Sequence, residues 1–172
     1  MNTLRTRRIV VGLGLTLAGY EALRYAVALA RESGTPLVAV RAYRSGPADP
    51  YEWRQARAWE ARNDVARTFA EAMGGEPDDL DVTVAIRPGR VAAVLAEVAN
   101  DPADLLVVGS SSRPRRWDRR PAPAARHCSW RGSCPVIVVP EPPLARTGTL
   151  RQLHREACQE VHRYLHAAPR PS

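Results

Sequence analysis

Short continuous apolar runs punctuate the chain at Ile9–Leu13, Leu37–Val40, Leu105–Val108 and Val136–Val139, while Val82, Val84 and Ile86 alternate with other residues. Continuous runs suit strands covered on both faces, and alternation suits a strand with one wetter face. The Asp81–Arg87 segment is therefore expected at a sheet margin. Between these runs apolar positions recur at helical spacing: Ala18, Ala22, Tyr25, Ala26 and Leu29 form one stripe, and Ala58, Ala61, Val65, Phe69 and Ala72 a second. Val91, Val94, Leu95 and Val98 form a third. Thr16 is placed to open the first helix. Strands alternating with helices imply right-handed βαβ units, hence an α/β three-layer sandwich around a parallel sheet. Trp53 and Trp59, near the start of the second helix, are expected as packing anchors with their indole N–H groups partnered or wet.

Ser45–Pro50, Gly74–Asp79 and Pro140–Gly148 interrupt the pattern as linkers. Pro140, Pro142 and Pro143 block helix continuation, so a domain over residues 1–140 and a Pro-rich linker over 141–148 are expected. Thr149 with Gln152 resembles a capping box, and Leu150, Leu153, Ala157, Val161, Tyr164 and Ala168 make a helical stripe. An amphipathic C-terminal helix is expected over 149–168. A helix of that length is marginal alone in water, so its apolar face is expected to dock on the domain or on a protein partner. Val136–Val139 is uncharged and would be an aggregation hazard as a bare edge, which pairing with a second subunit removes.

An apolar content of 45% with 25% charged residues is that of an ordinary soluble globular chain. No apolar run approaches the roughly 18 residues that span a bilayer. Arg5, Arg7 and Arg8 followed by Ile9–Ala18 imitate a signal peptide, but a first strand and its helix account for the same residues. Cys128, Cys134 and Cys158 form no CxxC pair or even-numbered framework, which favours a reduced, cytoplasmic setting with cysteines as small apolar fillers.

All 25 basic residues are arginine and lysine is absent, so a single arginine is weak evidence of function. Residues 113–131 nevertheless hold seven Arg against one Asp, in a chain of net charge +7. Such a cluster points toward phosphate, nucleic acid or an acidic surface, against the plainer reading of a solvated loop. Enzymatic readings are weak. No Walker-type lysine exists, no Ser lies in a Gly-x-Ser-x-Gly elbow, and Ser110, Ser111 and Ser112 read as turn and cap chemistry at a strand end. His154, Cys158, His162 and His166 follow one another at four-residue intervals, extending over about 18 Å, too far for one tetrahedral metal site. Two adjacent members are close enough to share one ion, but a structural or solvent-facing stripe is the favoured reading and no metal is expected.

Four segments together resemble the universal stress protein family, the UspA-type branch of the adenine-nucleotide α-hydrolase-like fold, over about Arg8 to Pro140. These are Ile9–Leu13 followed by Ala18–Ala30, the turn Gly89, Arg90, Val91, Ala92, the segment Asp104–Gly109, and the closing Ser133–Val139. The turn has Val where the family has Pro. The resemblance implies a five-stranded parallel sheet of order 3-2-1-4-5 and a homodimer through Val136–Val139. It also implies a nucleotide site in which Gly-x2-Gly-x9-Gly-Ser/Thr holds phosphates through backbone N–H groups and a helix N-terminus.

Without insertion, Gly109 falls on the first position of that motif, Ser112 on the second, and Ala122 and Pro123 on the final pair. Pro123 has neither an N–H nor a hydroxyl to give a phosphate, and Gly14 stands where the family has an acid. The resemblance thus implies a non-enzymatic stress-response module acting by dimerisation or protein binding, its usual ATP site lost. The alternative is a protein that binds ATP, another adenine nucleotide or a different phosphate ligand through arginine side chains, which grip phosphate bidentately. Its candidate contacts are Gly12, Gly14, Gly109, Ser110, Ser112, Arg113, Arg115 and Arg116. Arg119 and Arg120 extend the run, and Trp117 and Trp130 are placed to stack on a base or on a neighbouring guanidinium. Nucleic acid is disfavoured.

Overall fold

In this computed structural model the structure describes residues 6–46, 48–110, 126–128, 130 and 132–142. The chain divides into two units, Met1–Glu141 and Pro142–Ser172, and every element below belongs to the first. In chain order these are β1 (Arg8–Gly12), α1 (Leu17–Ser33), β2 (Leu37–Tyr43) and α2 (Tyr51–Met73), then β3 (Val82–Pro88), α3 (Val91–Val98), β4 (Asp104–Ser110) and β5 (Val136–Pro140). Residues 126–128 and 130 are also helical. The linker 141–148 beyond Pro142, the C-terminal helix 149–168 and the His154–His166 stripe lie outside the described residues.

The sheet runs β3-β2-β1-β4-β5 with every pair parallel, as the resemblance implies. β1 lies at the centre, with Val11 opposite Ala39 of β2 and Val107 of β4. Alternation along the strands sorts the core into two layers. Ile9, Val11, Leu37, Ala39 and Val107 meet the buried stripes of α1 and α2, Phe69 among them. Val10, Val40, Leu106 and Val108 meet Val94 and Leu95 of α3 together with Cys128 and Cys134.

Local signals explain the helix ends. Thr16 keeps an extended backbone and its hydroxyl accepts from the Gly19 N–H, so it caps α1 as expected. Gly34 and Gly74 close α1 and α2 in the left-handed region, which glycine enters without a Cβ penalty. The buried face of α1 is Ala18, Ala22, Leu23, Ala26, Val27 and Ala30. Tyr25 lies off that stripe and is exposed.

One expectation fails on α2. Trp53 and Trp59 are 60% and 66% exposed, so they are not packing anchors. The 23-residue helix is about 34 Å long, whereas the seven residues of β2 span about 23 Å. The first turns of α2 therefore pass the carboxyl edge of the sheet, and burial begins at Ala61.

A buried ion pair ties β1 to β4. Arg8 Nε and Nη2 donate to Asp104 Oδ1 and Oδ2 at 2.8 and 2.9 Å, and Nη2 also donates to the Val98 carbonyl at the end of α3. The Asp104 side chain is fully buried and that of Arg8 is 29% exposed. Hydrogen bonding to Asp104 holds the Arg8 guanidinium pKa above its usual value. The sequence flags Asp104 only as part of a family segment, and its role here is to join three elements.

Candidate functional site

In an open parallel sheet ligands bind beyond the carboxyl ends of the strands where the order reverses, here between β1 and β4. The chain delivers Gly12, Leu13 and Gly14 to that point from β1, Gly109 and Ser110 from β4, and Thr16 with the first turn of α1. Gly12, Gly14, Gly109 and Ser110 are thus brought together. Ser112, Arg113, Arg115 and Arg116 lie outside the described residues, as do Arg119, Arg120, Ala122 and Pro123.

The glycines are not equivalent. A Cβ on Gly109 would stand 2.4 Å from the Ala18 carbonyl oxygen, 2.6 Å from its carbon and 2.9 Å from the Gly19 nitrogen. Gly109 therefore lets the first turn of α1 lie directly on β4. Gly19 lets the same first turn close against the connection from β1, since a Cβ there would stand 2.1 Å from the Gly14 oxygen. Gly12 faces Leu95, whose Cδ1 would be 3.0 Å from an added Cβ. Gly14 is the open position, with only the Thr16 hydroxyl, at 3.9 Å, near a Cβ built there. The residue that resembles the first phosphate-motif glycine is thus needed for packing, and the position that would carry the family's acid has space and no carboxylate.

Ser110 departs from its expected role. It is the last residue of β4, buried and paired in register with Pro140, so the strand runs through the position assigned to a turn. Ser111 lies outside the described residues. Among the expected contacts that are described, none brings an ionised side chain to the site.

An unforeseen contact lies beside it. Arg41 of β2 reaches across to donate from Nη1 to the Leu13 carbonyl at 3.3 Å and from Nη2 to Asp64 of α2 at 2.6 Å. Asp64 also holds Arg67 at 2.7 Å. The Arg41 Nε is buried without a hydrogen-bond partner. Arg41 shares the sheet face of Leu37 and Ala39, and an arginine continuing an apolar alternation was the signal available for it. It fastens the exit of β1 to α2.

The opposite face closes with Cys128 and Cys134, both free and buried. Burial pushes both thiol pKa values up, so the reactive thiolate is scarce at neutral pH. Iodoacetamide at pH 7.5 is expected to leave both unmodified in native protein and to alkylate both after denaturation, read by peptide mass spectrometry. Native labelling matching the denatured sample would show that they are not core residues. Among the described residues no group of three or more His, Cys, Asp or Glu side chains can share a metal ion, and no helix is long and apolar enough to cross a membrane.

A comparison with protein families matches residues 5–140 to the family described as "Universal stress protein family". A search of curated proteins returns no match. Among solved structures, the universal stress protein UspA from Lactobacillus plantarum is similar at a TM-score of 0.62 and 17% identity, covering 78% of this chain and 98% of that one. A universal stress protein solved in complex with cAMP is similar at 0.56 and 21% identity, covering 80% and 99%. A universal stress protein family member from Burkholderia pseudomallei is similar at 0.52 and 25% identity, covering 79% and 97%.

Proposed function

Because the chain belongs to the universal stress protein family, we propose that it is a non-enzymatic regulatory module of the cytoplasm, acting by dimerisation or by binding another protein, without the family's usual ATP site. The observation that carries this reading is the end of β1, where Gly14 is open and, among the described residues, only the Thr16 hydroxyl lies near a Cβ built there. The glycine that remains, Gly109, is accounted for by the α1 junction. The loss of Gly-Ser/Thr chemistry at Ala122 and Pro123 in the sequence adds to this.

Dimerisation is assigned to β5. The Leu106 N–H donates to the Pro135 carbonyl, so alternate residues from 135 direct their backbone groups at β4, and those of Val136 and Val138 face outward. The strand carries no charge to deter a second copy. Wild-type protein is expected to sediment as a dimer, and Val138→Arg, at a 37% exposed position, as a monomer with unchanged circular dichroism. A monomeric wild type, or a variant that remains dimeric, would remove β5 from the proposal.

A second reading has one observation in its favour, the similar fold solved with cAMP. In it the arginines of the loop 113–120 replace backbone N–H groups as the phosphate grip, and a nucleotide or other phosphate ligand is bound. Nucleotide released on denaturing the purified protein would favour this second reading over the first.

A further inference from the structure

β3 is the other outer strand, paired on one side only. The Asp81 carbonyl accepts from Leu37 N–H, and Gly89 N–H donates to the Tyr43 carbonyl. Odd positions from 81 to 89 therefore direct their backbone groups at β2, and alternation turns those of Val82, Val84 and Ile86 to the free edge. Among the described residues no backbone bond outside the ladder uses them. Pro88, which lacks an N–H, ends the row.

An open groove flanks this edge on each face of the sheet. The one beside α2 has a volume of about 540 Å³ and is lined in part by Arg62, Val65, Glu76, Val84 and Ile86. The one beside α3 has about 520 Å³ and includes Thr83, Ala85, Arg87, Glu97 and Asn100. A strand added to an edge sends alternate side chains to opposite faces, so a free backbone row between two grooves is a geometry for peptide addition.

Charge gives the edge a direction. Glu76 follows α2 and lies toward the amino end of β3. Glu97 stands in the last turn of α3, which Arg8 fixes at that same end through Val98. Arg62 and Arg87 lie toward the carboxyl end. None of the four is ion-paired among the described residues.

The geometry points to a binding site for an extended peptide of another protein, added to β3 as an antiparallel strand. Its amino end carries a carboxylate toward Arg62 on the α2 face or Arg87 on the α3 face, and its carboxyl end a cation toward Glu76 or Glu97 on that same face. Antiparallel addition is the more stable pairing per residue. The site is independent of the β5 pairing and lies on the opposite edge.

Fluorescence anisotropy with two capped, labelled peptides tests this, one reading Glu-Val-Thr-Val-Ser-Val-Arg and the other with its two charged ends exchanged. The first is expected to bind about tenfold tighter, because opposed like charges penalise the second. The surface double variant Arg62→Glu, Arg87→Glu is expected to abolish that preference. Val84→Pro, which deletes an outward N–H and spares the β2 ladder, is expected to abolish binding with circular dichroism retained. If Val84→Pro does not fold, the double variant decides alone. Equal affinity for the two peptides, binding of neither, or an unchanged preference in the double variant would overturn the proposal. So would a wild-type association state that Val84→Pro lowers, which would assign the edge to a second copy of the chain. Val138→Arg acts on the other edge and separates that outcome from the β5 dimer.

Discussion

Gly109→Ala is expected to destabilise the protein by about 3 kcal/mol and to lower its melting temperature by roughly 6–12 °C. The reason is steric. The added methyl would stand 2.4–2.9 Å from three backbone atoms of Ala18 and Gly19, and backbone at a capped helix start cannot turn aside as a flexible side chain can. Gly109 has no positive φ, so conformational freedom adds nothing to the effect. Gly14→Asp is the internal contrast, because that site is open and its backbone also lacks a positive φ. Its stability is expected within about 0.5 kcal/mol of wild type. Urea denaturation of the three proteins measures both. A Gly109→Ala variant as stable as wild type would mean that the glycine is held for another reason, such as access to a ligand.

Asp104→Ala is expected to cost about 3 kcal/mol, the lower end of the range for removing one partner of a buried pair, because Arg8 keeps some access to water. The variant leaves the Arg8 guanidinium without its two carboxylate bonds and the Asp101 N–H without the Asp104 oxygen that accepts it. The double replacement Arg8→Met with Asp104→Leu removes both charges and is expected to recover most of the loss. Comparing Arg8→Met, Asp104→Leu and their double variant in one denaturation cycle isolates the pair. Additive losses would show that the two side chains act independently, contrary to their geometry.

The parts of the fold that sequence revealed are those governed by local pattern. Ile9–Leu13 and Leu105–Val108 read as doubly covered strands because they are, and the alternation at Val82, Val84 and Ile86 marked a wetter margin strand. Thr16 announced its cap through side-chain chemistry that acts within three residues. What sequence could not convey were relations between distant residues. Arg41 reaches Asp64 and Leu13, and Arg8 reaches Asp104, contacts fixed by β2 and β4 taking places on either side of β1. Trp53 and Trp59 misled because their residue type suggested burial, whereas the length of α2 relative to the sheet leaves them outside. Gly109 is the most instructive case. Its motif position suggested a phosphate contact, and only the approach of α1 revealed that a side chain there would meet the Ala18 carbonyl.

We propose that the universal stress protein frame persists in this chain without the family's nucleotide grip. Calorimetric titration of ATP into purified, nucleotide-free protein tests it most directly. No saturable heat beyond that of dilution is expected; a tight, saturable isotherm would show that the grip is retained.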